Sequence, residues 1–242
     1  MNSADPGENL DHIHVDADAL INTIGIIREF RNRGVTFKKI HVEILKNLLR
    51  FAQSNGIGRF IQISALGVGP GGQTEYLRSK FKAEELVRNS GLNWTILRPS
   101  MMIGPGDHIT GMLGGMIKRL PAVPVIGDGN YVLQPVHIDH IAEGIGRLLD
   151  DERAFGKTFE IGGPETLTFN QILDRIGDNL GRKRVRKFHQ PAGIMRVFAS
   201  LLERFPWFPL TCEQLTMLLE GNSTSEREFF DLCGMEPKYP LA

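Results

Sequence analysis

The run FIQISALGVGPGGQTEYLRSK at residues 60–80 constrains this chain more than any other part of it. Phe60, Ile61 and Ile63 make a short apolar stretch that the glycines from Gly67 to Gly72 and Pro70 cannot continue, so a strand is predicted to end near Ser64. Beyond the loop, Tyr76 and Lys80 lie four residues apart in a segment that runs on as FKAEELVRNS, which places both on one helix face, one turn apart. A phenol titrates at about pH 10, and a neighbouring ammonium favours its phenolate. With Ser64 at the strand end to hydrogen-bond the same substrate oxygen, Ser64, Tyr76 and Lys80 are a candidate catalytic trio for proton transfer. The Tyr-x-x-x-Lys spacing alone also arises by chance on solvated helix faces.

Strands and helices alternate along the rest of the chain. A strand is predicted from Ala19 to Ile24, ended by Gly25, and a helix over 36–54 with Ile40, Ile44, Leu45, Leu48, Leu49 and Ala52 at helical spacing. Further strands are expected at 94–97, 131–136 and 158–161, and helices at 111–120, 137–150 and 169–180, the last capped by Thr168. RKRVRKF reads as a strand, followed by helices at 191–205 and 211–220 and a tail after Gly221 without clear pattern. Trp207 and Phe208 among their prolines read as a packed turn. The fold class is α/β, a doubly wound parallel sheet, with a loose lead-in at 1–15, a sheet domain at 16–165 and a mostly helical region at 166–242.

The chain has 242 residues, with 28 Lys plus Arg against 28 Asp plus Glu, so no net field gathers nucleic acid. No apolar run reaches the ~18 residues of a membrane span, and the acidic start MNSADPGENLDH is unlike a targeting peptide. A soluble, cytoplasmic protein is expected. The basic run Arg182 to Lys187 and the amphipathic helix after it offer a membrane or partner contact as the alternative to a solvated edge and a core-facing helix. His137-x-x-His140 lacks further ligands at metal-binding spacing, and Cys212 and Cys233 lack a CxxC pattern, so no metal site is expected.

The motifs Asn22-Thr23-Ile24-Gly25, Ile63-Ser64-Ala65-Leu66-Gly67, Tyr76-Leu77-Arg78-Ser79-Lys80, Leu97-Arg98-Pro99, Gln134-Pro135-Val136 and Gly162-Gly163-Pro164 together resemble the atypical or extended short-chain dehydrogenases grouped as NAD-dependent epimerase/dehydratases. Within that group the wording ISALG, YLRSK, WTILRPS and QPVHIDHIAE is most similar to the Rossmann-type accessory subunit of respiratory complex I and its bacterial relatives. The resemblance implies NAD or NADP as cofactor, contacted by Asn22, Gly25, Tyr76, Lys80, Pro99 and Ser100, with Ser64, Tyr76 and Lys80 as the catalytic set where catalysis occurs.

The sequence departs from that family in one respect. A dinucleotide fold opens on a strand, a Gly-rich loop and a helix that receives the pyrophosphate. Here the first strand, Ala19 to Ile24, already resembles strand four of the full fold, so the Gly-rich N-terminal part is expected to be missing, nicotinamide dinucleotide to bind weakly or not at all, and an uncovered strand edge to invite a partner chain or the missing half. Three functions follow: a dinucleotide-binding accessory subunit whose cofactor is structural, an active oxidoreductase or epimerase using the trio, or a cofactor-free interaction module.

Overall fold

The computed structural model describes residues 13–205, 208 and 210–241. Its first elements are β1 (Ala19–Asn22), a π-helical segment (Lys38–Glu43) that runs into α1 (Ile44–Ser54), β2 (Arg59–Ile63), α2 (Glu75–Arg88) and β3 (Asn93–Pro99). There follow β4 (Met102–Ile103), α3 (His108–Arg119), β5 (Val123–Ile126), β6 (Val132–Leu133), β7 (Val136–His137), α4 (Ile138–Leu148) and β8 (Lys157–Ile161). The chain continues through β9 (Leu167–Thr168), α5 (Phe169–Asn179), β10 (Lys187–Gln190), α6 (Ala192–Leu202), α7 (Cys212–Glu220) and α8 (Glu228–Cys233). Two compact units result, the first drawing on Met1–Pro99 and Glu143–Glu160, the second on Ser100–Ala142 and Ile161–Ala242.

The first unit is built on a sheet of order β1-β2-β3-β8, in which β1 pairs with β2 and β2 with β3 in parallel. The central strand β2 is buried along Arg59 to Gln62, as a strand covered on both faces must be. On one face Leu45 and Leu49 of α1 and Ala83 and Val87 of α2 close over Phe60 and Ile96. Arg59, although buried, is satisfied: its guanidinium donates to the carbonyls of Leu148 and Leu149 at 2.8 and 2.9 Å, at the end of α4 where free carbonyls accumulate, and to Thr95 Oγ1 at 2.8 Å. β1 forms the sheet edge, with Ile21 exposed there.

The second unit combines three small two-stranded pairings, β4 with β7 and β5 with β10 in parallel and β6 with β9 antiparallel. Its core gathers Leu113 and Ile117 of α3, Val123 and Val125 of β5 and Leu173 and Ile176 of α5. Thr168 caps α5 in a reciprocal capping box with Gln171. Gly163 is required by a close approach: a Cβ there would stand 1.7 Å from the carbonyl oxygen of Pro135.

Several local expectations change. The single strand expected at 131–136 is interrupted after Leu133 and resumes at Val136, because Pro135 has no N–H to give a ladder. The strand expected in RKRVRKF begins only at Lys187 and pairs with β5, a strand not expected from the sequence. The tail after Gly221 is not patternless, since α8 buries Phe229, Phe230 and Cys233 and ends on Gly234 at φ 60°. The helix expected over 36–54 starts in π geometry. Residues 1–12 of the lead-in, and Trp207 with Pro206 and Pro209, lie outside the described residues.

Candidate functional site

Because β1, β2 and β3 are parallel, their C-terminal ends open on one side, the position where α/β sheets take ligands. Asn22 ends β1, Ser64 follows β2, Pro99 ends β3, and α2 carries Tyr76 and Lys80. α2 begins after the glycine-rich loop because Thr74 caps it, its side chain accepting from Leu77 N at 3.2 Å. These candidates belong to the first unit; Ser100 belongs to the second, where its hydroxyl donates to the Gln134 carbonyl and its N–H to Ile161 O at 2.8 Å.

Asn22 shapes the β1 terminus. Its Nδ2 donates to the buried Gln62 Oε1 at 2.8 Å, and its Oδ1 accepts from Ile24 N at 3.0 Å, turning the chain toward Gly25. At Gly25 a Cβ would meet Lys80 Nζ at 3.1 Å, so glycine keeps the backbone clear of the ammonium. Lys80 is buried and donates to Ile63 O at 3.2 Å. Among the described residues this commits one of its three N–H donors. Desolvation lowers its pKa from 10.5 to about 8, the Glu84 carboxylate opposing that fall.

Ser64 does not stand free for a substrate. Its Oγ donates at 2.5 Å to Oε1 of Glu84, a wholly buried carboxylate one turn beyond Lys80. The Arg98 guanidinium grips Glu84 with Nε and Nη2 at 2.9 and 2.7 Å, and Arg88 adds a contact at 2.7 Å. Glu84 is thus a fully matched buried anion, and Ser64 is one of its donors.

Tyr76 departs from the expected electrostatics. Burial raises its pKa to about 12, because desolvation penalises the charged phenolate. The ring packs edge-on against Phe37 and His41, with centroids 5.8 and 5.6 Å away.

His41 is the residue that sequence reasoning missed. It lies buried in the π-helical segment, a geometry that recurs at functional sites. Its Nε2 accepts from Ile26 N at 3.1 Å, which leaves the proton on Nδ1 to donate to Ser79 Oγ at 2.8 Å; Ser79 donates in turn to Tyr76 O at 2.8 Å. Burial first, and Lys80 second, push the imidazole down to about 3, so it stays neutral at ordinary pH. The spacing Phe37, His41, Leu45 was a signal that could have found it, since these share a helix face with the core positions. No group of residues suited to a metal occurs among the described residues, and His140 Nε2 instead accepts from Lys238 N at 3.2 Å.

Residues 3–112 match a family described as NAD(P)H-binding. The mitochondrial "NADH dehydrogenase [ubiquinone] 1 alpha subcomplex subunit 9" of Arabidopsis thaliana is 32% identical over 222 residues, covering 89% of this chain and 54% of that protein. The mitochondrial "NADH-ubiquinone oxidoreductase 40 kDa subunit" of Neurospora crassa is 25% identical over 218 residues, covering 89% of this chain and 53% of its own. The chain therefore spans about half the length of the curated relatives it matches. A nucleoside-diphosphate-sugar epimerase from Staphylococcus aureus shares the fold, with a TM-score of 0.69 at 17% identity over 93% of this chain and 75% of the other. The chain thus has a Rossmann-like α/β fold, matches an NAD(P)H-binding family over residues 3–112, and is similar in sequence to the subunit 9 and 40 kDa subunit proteins of the mitochondrial NADH dehydrogenases.

Proposed function

We propose that the strand ends of the first unit receive the nicotinamide half of NAD(H) or NADP(H), and that the bound dinucleotide serves structure rather than turnover. Lys80 is the group that holds it, its uncommitted N–H donors meeting the nicotinamide ribose, while Gly25 keeps the adjoining backbone clear of the ammonium and Asn22, Tyr76 and Pro99 border the remainder. The observation that carries this reading is the commitment of Ser64. Its proton belongs to Glu84, and Tyr76 sits at about 12, so the trio supports binding better than proton relay. Complex I relatives support a place for this chain as an accessory subunit, with the β1 edge from Ala19 to Asn22 taking a further strand from a partner or from the same protein. No helix among the described residues is long and apolar enough to cross a membrane, so attachment to such a complex is peripheral in this proposal.

Saturation-transfer NMR with NADH and NADPH, suited to weak ligands, tests it. Transfer concentrated on nicotinamide and ribose protons and lost in Lys80→Met is expected; transfer confined to adenine, or unchanged in Lys80→Met, overturns it. The Tyr76–Lys80 spacing favours a second reading, in which Tyr76 exchanges a proton with a substrate oxygen during hydride transfer. A substrate whose turnover falls about 10²-fold or more in Tyr76→Phe would establish that reading over the structural one.

A further inference from the structure

An amphipathic helix of a folded domain turns its apolar stripe inward, and α6 departs from that rule. Ile194, Val197, Phe198 and Leu201 recur at i, i+3, i+4 and i+7, the spacing of one helix face, and are 51%, 59%, 50% and 61% exposed. The opposite face is the one that packs, through buried Ala199, and α6 lies against α7. Single exposed apolar residues are ordinary, but four on one face over two turns form a continuous patch of the kind that marks an interaction site.

The charges around this face identify its occupant. Arg182, Lys183, Arg184 and Arg186 are exposed immediately before β10, which leads through Pro191 into α6, and Arg204 lies just after the helix, whereas Arg196 is on its other side, near Cys212 of α7. Against these six bases the segment 182–205 contains one acid, Glu203, whose carboxylate accepts from Cys212 N at 2.9 Å. Lys187 is tied to Asp174 at 2.6 Å and is left aside. In a chain whose charges cancel, with 28 of each sign, this is a local concentration of positive charge beside an outward apolar stripe. Phe188, 60% exposed, adds an aromatic side chain within the basic stretch. Apolar side chains in one helical row, preceded along the chain by an exposed basic run, match the acyl boundary and anionic headgroups of a bilayer surface.

We propose that α6 with the preceding basic run is an interfacial anchor that lays Ile194, Val197, Phe198 and Leu201 into the headgroup region of an anionic membrane. Just beyond the helix the Arg204 guanidinium lies 4.9 Å from the Phe205 ring centroid, a cation and an aromatic ring side by side, as such an interface accommodates. This surface lies in the second unit and does not depend on dinucleotide binding.

Flotation of the full chain with phosphatidylcholine vesicles, with and without about a third of phosphatidylglycerol, tests the anchor. The chain is expected to float with anionic vesicles only and to be released by raising the salt. Val197→Ser with Leu201→Ser should weaken flotation at least about tenfold, and Arg182→Glu with Arg184→Glu by a similar factor, whereas Arg182→Lys with Arg184→Lys should retain it. All three pairs alter exposed positions, so thermal unfolding should stay close to the parent. Equal binding to neutral vesicles, no binding to either, or binding that survives Val197→Ser with Leu201→Ser would overturn the proposal. Dimerisation by light scattering that the same serine pair dissolves would also overturn it, in favour of a second copy as the occupant.

Discussion

Lys80 and Glu84 stand one turn apart on α2, both buried, and the helix treats them in opposite ways. Glu84 receives Ser64, Arg88 and two nitrogens of Arg98, so its charge is repaid with short, directed hydrogen bonds. Lys80 has the Ile63 carbonyl and a Coulombic tie to Glu84, and desolvation still lowers it to about 8. A buried charge whose partners are complete holds the fold together, and one whose partners are incomplete waits for a ligand. The difference separates a structural half of α2 from the half that we propose binds the nicotinamide ribose.

The largest effect should come from the matched side. Glu84→Ala strands Arg98 and Arg88 against the sheet and should lower the unfolding free energy by about 3–5 kcal/mol. Urea unfolding measures it, and a loss below about 1 kcal/mol would mean that the network is not what secures α2 to the sheet.

A smaller effect concerns His41, which faces the binding half. The folded pKa of about 3 lies below the ordinary 6.5, so the unfolded chain takes up the proton first. Its contribution is complete above pH 6.5 and is lost as pH falls toward 3, worth roughly 2–3 kcal/mol by pH ~4.5. His41→Phe should flatten that part of the acid limb in a pH series of unfolding curves; an unchanged slope would remove His41 from the account.

The smallest effect is Tyr76→Phe. The ring contacts with Phe37 and His41 remain, so NADH affinity should change by no more than about twofold in a titration monitored by NMR. A much larger loss would mean that the phenol hydroxyl touches the ligand and would blur the division between the halves.

Much of this was legible in the sequence, for identifiable reasons. The strand at Phe60 and the N-cap at Thr168 are local, so residue type and spacing sufficed. The edge position of β1 followed from which strand of the family pattern it resembles. The commitment of Ser64 was not legible, because Glu84 reads in sequence as one more charge in FKAEELVRNS and becomes a partner only when α2 packs on the sheet. β5 was hidden by Pro124 and by needing β10, more than 60 residues later, to satisfy its ladder. The outward stripe on α6 was visible as periodicity, but periodicity alone assigns an apolar face to the core.

The division of α2 is tested most directly by unfolding Lys80→Met beside Glu84→Ala at neutral pH. Lys80 is depressed from 10.5 to about 8, so below pH 8 the folded state carries a desolvation cost of about 3 kcal/mol that is relieved only as pH rises from 8 to 10.5. Methionine keeps most of the volume and discards that cost, so Lys80→Met should unfold at higher urea, by about 1–3 kcal/mol, while losing the nicotinamide signal. Opposite signs for the two substitutions, with binding lost in Lys80→Met, are the predicted result. Destabilisation by both, or nicotinamide binding retained by Lys80→Met, would contradict it.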